Sequence, residues 1–257
     1  MRKTKIIGTI GPASNNPEIF EKMCKAGLNV VRLNFSHGSH EEHLKMINMV
    51  KGVREKLRLP IAIMLDTKGP EYRIQTFKDG KVDIETGSEF IFTMDDIVGD
   101  NTKVSVNYKG LVNDLCVGDR ILVNNGLVVF EVKKIDGQNI ICDTIVGGVL
   151  SNKKSMSFPN KVLKQVYLSE QDKQDILFGI ANNVDYIAAS FVSCKQDVVD
   201  IRKLLDANGG KDIDIIAKIE NRAGIDNIEE ICEVCDGIMV ARGDLGVEVP
   251  YPELPAI

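Results

Sequence analysis

The sequence lacks any apolar run close to the roughly 20 residues that a membrane-spanning helix needs. It also lacks the apolar core of a signal peptide, because the start MRKTKIIGTIGPAS passes directly into a strand-like segment. An excess of basic residues is absent as well, since the net charge is -5. Anionic membranes and nucleic acids favour a surplus of Lys and Arg. We therefore expect a cytoplasmic protein that binds neither partner.

Cysteine is too sparse for a secreted domain stapled by disulfides. Six cysteines are scattered over 257 residues, so reduced thiols are the simpler interpretation. Cys232 and Cys235 form a C-x-x-C, but they come late in the predicted helix IDNIEEICEVC. A redox pair occupies a helix start, and structural zinc needs more ligands. We therefore expect both thiols to serve packing.

Histidine occurs three times, always within the segment HGSHEEH. A metal hydrolase of the H-E-x-x-H type needs histidines four positions apart, whereas His40 and His43 are three apart. Ser39 and Glu42 instead form the sequence signature of a helix capping box. We favour a helix start over a zinc site.

Apolar strands alternate with amphipathic helices at both ends of the chain. The first three strand-like runs are KIIGTIG, LNVVRLNF and PIAIMLD, with helices predicted to begin after Asn16 and Ser39. After a further helix cap at Ser169, the runs are VDYIAASFV, IDIIAKIEN and GIMVARGD. Strands this apolar are typical of a parallel sheet covered by helices.

Short alternating segments separated by Gly, Asp and Asn occupy the middle of the chain. A tract of roughly a hundred residues is too long for a loop and predicts an inserted β domain. The predicted fold class is α/β: a (β/α)8-type barrel, incomplete with six of eight βα units, with an all-β domain inserted after strand three. The domains would be 1–69 with 168–257, and 70–167. An open doubly wound sheet is the alternative, although no G-x-G-x-x-G follows any strand.

Polar residues stand at the carboxyl ends of the predicted strands, repeatedly in pairs two positions apart. Such spacing puts both members on one face of a strand, and a barrel collects these ends at one mouth. One pair alone could be a salt-bridged cap on the sheet, but three pairs favour a functional site. The pairs are Arg32 with Asn34, Lys218 with Glu220, and Arg242 with Asp244, and Asp66 and Thr67 end strand three.

These charges suit a phosphorylated substrate that is bound partly by cations and partly through a metal. Phosphoryl transfer depends on positioning and on stabilisation of charge by Arg, Lys and Mg²⁺. Arg32, Arg73 and Lys218 would supply the positive charge. Glu220 and Asp244 are hard carboxylates that fit Mg²⁺, which leaves other coordination positions to water and substrate.

Seven segments resemble those of the pyruvate kinase family in order and spacing: TKIIGTIGPAS, VVRLNFSHG, MLDTKGPEYRI, ILVNNGL, AASFV, IIAKIEN and GIMVARGDLGVEVP. The resemblance implies transfer of a phosphoryl group from phosphoenolpyruvate to ADP, giving ATP and pyruvate in the final step of glycolysis. It also implies the cofactors Mg²⁺ (or Mn²⁺) and K⁺. The inserted domain would close as a lid over the nucleotide, and the full-length protein would form a homotetramer.

Matching positions assign roles to particular residues. The resemblance implies that Arg32, Arg73 and Lys218 are catalytic and stabilise the phosphoryl group. The backbone around Gly243 would contact the substrate carboxylate. The substrate-binding residues would be Arg32, Lys218, Gly243 and Asp244, and the divalent-metal ligands would be Glu220 and Asp244.

The same resemblance implies a monovalent site and a nucleotide site. Glu71 stands where a carboxylate goes with potassium dependence in this family, so we expect a requirement for K⁺. The potassium ligands would be Asn34, Ser36, Asp66 and Thr67, and the nucleotide-binding residues would be Asn34, His37 and Arg73.

The chain departs from the family pattern at several positions. Asn124 and Asn125 stand where the family commonly has VDDGL, which removes two charges from the lid. Tyr72 and Ser193 replace a usual aliphatic and a frequent basic residue. The family's seventh and eighth strands and its C-terminal domain are absent, so we expect this chain alone to be a catalytically incomplete fragment.

A metal-dependent aldolase or lyase of enolpyruvate-type substrates is the rival interpretation. Such barrels also hold Mg²⁺ with carboxylates on late strands, and Lys218 could act as a Schiff-base lysine. The β insertion argues against both, because a kinase that closes over a nucleotide needs it and an aldolase does not.

Overall fold

A computed structural model describes residues 3–159, 161, 163–249 and 251–257. The remaining positions of the predicted domains, 1, 2, 160, 162 and 250, lie outside the described residues. The chain packs as two compact units. The first unit is Met1–Gly69, Tyr167–Lys218 and Ile228–Met239, and the second is Pro70–Val166, Ile219–Asn227 and Val240–Ile257.

Strands and helices follow one another along the described residues in the following order. The strands are β1 (Ile7–Thr9), β2 (Val30–Asn34), β3 (Ala62–Asp66), β4 (Tyr72–Arg73), β5 (Lys81–Ile84), β6 (Glu89–Thr93), β7 (Lys103–Ser105), β8 (Arg120–Val123), β9 (Val128–Asp136), β10 (Asn139–Val146), β11 (Gly148–Ser151), β12 (Ser155–Ser157), β13 (Tyr186–Ala189), β14 (Asp214–Ile219) and β15 (Gly237–Val240). The helices are α1 (Pro17–Ala26), α2 (His40–Leu57), α3 (Leu111–Asp114), α4 (Glu170–Ala181), α5 (Lys195–Ala207), α6 (Arg222–Asp226), α7 (Ile228–Cys232) and α8 (Arg242–Glu248), followed by a 3-10 turn at Tyr251–Ala256.

Six strands form one sheet in the order β1, β2, β3, β13, β14, β15. The pairs from β1 to β14 are parallel, and helices connect most of them along the chain. The strand order follows the chain without the reversal that marks a doubly wound sheet. The predicted α/β class, with six strands of an incomplete (β/α)8-type barrel, is confirmed.

Two predicted helix starts are confirmed by their hydrogen bonds. The side chain of Asn16 accepts from the first backbone N–H groups of α1, and Gly27 ends that helix with a φ of 113° that suits glycine. Ser39 and Glu42 form the complete capping box of α2. These bonds satisfy backbone donors that a helix end otherwise leaves without partners.

Two predictions about the last predicted helix and strand are wrong. The segment predicted as one helix, IDNIEEICEVC, is divided between α6, which ends at Asp226, and α7, which begins at Ile228. The last strand ends at Val240, so Arg242 and Asp244 lie in α8 and not on a strand. Residues two apart in a helix point in nearly opposite directions, so this pair does not share a face.

The second unit has its own hydrophobic core. Its β strands form a seven-stranded sheet and a two-stranded sheet. Three fully buried phenylalanines, Phe90, Phe92 and Phe130, contact one another with ring centroids 5.0 to 5.3 Å apart. Aromatic clusters of this kind bury a large apolar area and favour particular orientations of the rings. The assignment of 70–167 as an inserted domain stays a prediction, since the unit also includes 219–227 and 240–257.

In the part of the chain that the structure describes, no helix is both long and apolar enough to cross a membrane.

The turn between β8 and β9 explains the two asparagines at 124 and 125. Both have left-handed backbone conformations, with φ of 56° at Asn124 and 58° at Asn125, and Gly126 follows with 80°. Asparagine tolerates this region better than other non-glycine residues. The backbone N–H of Asn124 donates to Ser155 O at 3.0 Å, and the Ser155 hydroxyl donates to Asn125 Oδ1 at 3.1 Å.

We predict that Asn124→Ala destabilises the chain by about 1 kcal/mol, because a Cβ without a polar partner disfavours the left-handed region. Asn124→Gly is the matched control and keeps the stability of the natural residue, since glycine adopts this φ freely. Urea unfolding followed by circular dichroism measures both. Equal stabilities of the alanine and glycine variants would show that the backbone conformation imposes no constraint there.

Candidate active site

A buried carboxylate at the end of β3 is the shared hydrogen-bond partner of two cations in the first unit. Asp66 is 1% exposed and follows the apolar run AIML, so the strand carries it into the interior. Its Oδ2 accepts a hydrogen bond from Arg32 Nε, and its Oδ1 accepts one from Lys218 Nζ at 3.0 Å. A buried carboxylate is costly unless cations or hydrogen bonds compensate it, and here both are present.

Strand register explains why these charges meet. Asn34 at the end of β2 lies in register with Asp66, and Arg32 is two residues earlier on the same strand. Lys218 belongs to β14, which is separated from β3 by β13, so its long side chain reaches past one strand. Arg32 is further held because its Nη1 donates to Thr9 Oγ1 at 2.9 Å. The predicted convergence is therefore observed for Arg32, Asp66 and Lys218.

Ser190 is a member of this cluster that sequence reasoning missed. Its Oγ accepts from Lys218 Nζ at 2.7 Å and lies 3.0 Å from Asp66 Oδ1. It is 2% exposed and immediately follows β13. The only sequence signal was its place at a carboxyl strand end, in the segment AASFV.

Four oxygen-bearing residues predicted as potassium ligands lie at the same carboxyl ends. Asn34 Oδ1 accepts from Ser36 N–H at 3.1 Å, and Thr67 Oγ1 accepts from Ser190 N–H at 3.1 Å. The donor set with Asp66 is composed of oxygen only, which matches the preference of a hard monovalent cation. The residues present therefore fit K⁺ by their chemistry, while the role itself stays a prediction.

The two predicted ligands of a divalent metal belong to the second unit. Glu220 directly follows β14 and is 1% exposed, and Asp244 is exposed in the first turn of α8. The backbone N–H of Ala241 donates to Ile219 O at 3.3 Å, so the segments that carry these carboxylates emerge from neighbouring strand ends. Among the described residues, no group of three or more His, Cys, Asp or Glu could hold a metal. Two carboxylates completed by water and substrate are how Mg²⁺ is commonly held, so the residues fit it.

Gly243 lies beside Asp244 in α8, also in the second unit. A Cβ at this glycine would meet nothing within 4 Å, so the backbone around it is open to approach. That openness is compatible with the predicted contact to a substrate carboxylate.

Arg73 lies in the second unit and has a tight acidic partner. Its Nε and Nη2 donate to the two Glu71 oxygens at 2.9 and 2.6 Å, and its Nη1 donates to Lys153 O at 2.7 Å. Hydrogen bonding to Glu71 raises the pKa of Arg73, despite an opposing effect of burial. The guanidinium is therefore held charged and in one orientation by two planar bonds.

The rings of His40 and His43 have different hydrogen-bond partners. His40 Nε2 pairs with Asp175 Oδ1 at 2.6 Å, whereas His43 Nε2 donates to His37 O at 2.9 Å. His43 is buried and stacked on Phe35, and this burial lowers its pKa. His37, predicted to bind nucleotide, is exposed.

The C-x-x-C thiols do not lie at a helix start, and because Cys232 is exposed and Cys235 only partly buried, their packing role stays a prediction. Cys232 is the last residue of α7 and Cys235 lies beyond it, so neither occupies a helix start. Burial raises the pKa of Cys235, which is opposite to the shift that activates a redox thiol.

The first-unit cluster can bind and polarise an anion. Two cationic groups are fixed at one buried carboxylate, so neither needs to reorganise when a negative ligand arrives. A planar guanidinium and a compact ammonium are the two groups that proteins use for phosphate. Phosphate or phosphoryl chemistry is what this arrangement supports best.

Known proteins with related sequences agree with this chemistry. The model of the family "Pyruvate kinase, barrel domain" matches residues 1–257. A pyruvate kinase of Clostridium perfringens is 46% identical over 258 residues, which cover 100% of this chain and 54% of that protein. Pyruvate kinases of Staphylococcus saprophyticus and Staphylococcus haemolyticus are 50% and 51% identical, with 100% of this chain and 44% of each relative covered.

The chain thus spans about half the length of the curated relatives it matches. A match over every residue, together with the charged cluster at the strand ends, assigns the chain to the pyruvate kinase family.

Proposed function

We propose that the protein containing this chain transfers a phosphoryl group from phosphoenolpyruvate to ADP, giving ATP and pyruvate. The observation that carries the proposal is the cluster of Arg32 and Lys218 around the buried Asp66 carboxylate. Support also comes from relatives that are named pyruvate kinase and align with the whole chain. The reaction belongs to the final step of glycolysis, for which we propose a cytoplasmic location.

Lys218 and Arg32 would stabilise the charge of the phosphoryl group in flight. The transition state spreads negative charge over three equatorial oxygens while the bond to enolpyruvate breaks and the bond to ADP forms. Lys218 is 7% exposed, so its ammonium acts in a poorly hydrated place where electrostatic stabilisation is strong. Asp66 would hold both cations in position without itself transferring a proton.

Glu220 and Asp244 would hold the divalent ion, Mg²⁺ or Mn²⁺, and the backbone at Gly243 would contact the substrate carboxylate. When bound, a divalent cation offsets the negative charge of phosphoryl oxygens and helps to orient them. The contribution of the chain itself is a pair of carboxylates, one directly after β14 and one in the first turn of α8, that requires few other protein ligands.

Asn34, Ser36, Asp66 and Thr67 would supply oxygen ligands to K⁺. One of these ligands, Asp66, also accepts from Arg32 and Lys218, so a bound monovalent ion would lie beside the groups that face the phosphoryl group. Glu71 contributes the acidic charge that goes with potassium dependence, and it is already engaged with Arg73.

Asn34, His37 and Arg73 would bind the nucleotide. Residues 70–167 would act as the lid that covers the site and excludes water from the transfer. We further propose that the full-length protein forms a homotetramer.

We predict that the full-length protein forms pyruvate from phosphoenolpyruvate only when ADP is added, with one ATP for each pyruvate. Chelation of the divalent ion by EDTA should abolish this activity, and replacement of K⁺ by a large organic cation should reduce it strongly. A coupled assay for pyruvate with a luminescent assay for ATP measures both products. Pyruvate release without ADP would instead support the lyase alternative.

We predict that Lys218→Met lowers kcat by about 100-fold or more, because it removes a preorganised positive charge from the phosphoryl group. Lys211→Met is the matched control, since Lys211 is exposed and precedes β14, and it should retain normal turnover. Thermal unfolding separates loss of chemistry from loss of fold. Near-normal turnover of a folded Lys218→Met protein would contradict the assignment.

A further inference from the structure

The hydroxyl of Ser190 contacts three different groups at the cluster. Its Oγ lies 2.7 Å from Lys218 Nζ, 3.0 Å from Asp66 Oδ1 and 2.6 Å from Thr67 O. A serine that only caps a turn bonds to backbone groups a few residues away. The partners of Ser190 come from β14, from β3 and from the residue that follows β3, all far away in the sequence.

The direction of these hydrogen bonds is fixed by chemistry. An ammonium group can only donate, so Ser190 Oγ accepts from Lys218. The hydroxyl proton must then point to Thr67 O or to Asp66 Oδ1, which are both acceptors. The hydroxyl therefore offers a lone pair to the ammonium and connects it to the end of β3.

The backbone of the same residue meets both segments that flank residues 70–166. Ser190 O accepts a hydrogen bond from the Tyr167 hydroxyl at 2.8 Å. A Cβ at Gly69 would approach Ser190 O to 2.8 Å, and Gly69 has a φ of +67°. The backbone N–H of Gly69 is held by Asp172 Oδ1 at 3.1 Å. Residue 69 therefore has room only for glycine.

We propose that Ser190 is a positioning residue that sets the place of the Lys218 ammonium and links it to the chain segments at 69 and 167. The inference rests on the proposed phosphoryl transfer. The hydroxyl fixes the ammonium relative to Asp66, and the carbonyl connects the same point to Tyr167. A movement of either flanking segment would therefore shift the Lys218 ammonium, which faces the phosphoryl group in the proposed reaction.

Ser190→Ala in the full-length protein tests the first link. Loss of a hydrogen bond to a charged group should lower kcat about 10- to 100-fold, while KM for ADP changes less than about threefold. Ser190→Thr keeps the hydroxyl and should recover most of the lost kcat. Ser193→Ala is the matched control, because the hydroxyl of Ser193 bonds locally to Phe191 O at 3.2 Å, and it should leave both parameters unchanged.

Tyr167→Phe tests the second link without altering Ser190. We expect kcat to fall about 3- to 10-fold, whereas the control Tyr186→Phe, at the opposite end of β13, should behave as the natural protein. In the Ser190→Ala background, Tyr167→Phe should have little further effect on kcat, because the hydrogen bond between Ser190 and Lys218 is already absent. Such non-additivity is what a double-mutant cycle detects.

The outcomes separate the two proposals. If the natural protein forms no pyruvate with ADP, the proposed function fails and the positioning role fails with it. If the natural protein is active but folded Ser190→Ala retains its kcat, or if the two changes act additively, only the positioning role is overturned. If Ser190→Ala does not fold, an unchanged kcat of Tyr167→Phe overturns the link, and a lowered kcat supports it.

Discussion

The charged cluster at the ends of the parallel strands depends on one carboxylate, that of Asp66, which is buried inside the protein. Asp66 is buried at the end of β3, and its two oxygens face the cations of Arg32 and Lys218. Removing one partner from such a buried pair commonly costs about 3–5 kcal/mol, because it leaves an uncompensated charge. The same requirement keeps the two cations at fixed positions, which is the kind of preorganisation that stabilises an anion in the function proposed above.

The parallel sheet brings the side chains of this cluster together. β3 places Asp66 at its carboxyl end after the apolar run AIML, β2 places Arg32 after two buried valines, and β14 places Lys218 after the apolar run IIA. The buried apolar residues fix the position of each strand, and the polar side chains near its carboxyl end therefore have little conformational freedom. This division is the general reason that strand ends in (β/α) barrels carry chemistry while the barrel interior carries stability.

Local signals in the sequence were sufficient for the first five strands of the parallel sheet, for the helix caps at Asn16 and Ser39, and for the place of Asp66. They failed for α8, because two glycines in RGDLGVE weaken the helical pattern of that segment. They also failed for Ser190, since its partners are set by strand register and lie far away in the sequence. The periodicity of apolar residues, about two in a strand and 3.6 in a helix, contains no information about such distant pairing.

The contact between Gly69 and the Ser190 carbonyl also bears on protein engineering. A glycine in a left-handed conformation, packed where no side chain fits, cannot be exchanged for a linker residue without displacing the backbone next to Lys218. Transplanting residues 70–166 into another barrel would therefore require the recipient to receive Gly69, Tyr167 and Ser190 as a set. A graft that copies only residues 70–166 would leave its junctions without these contacts.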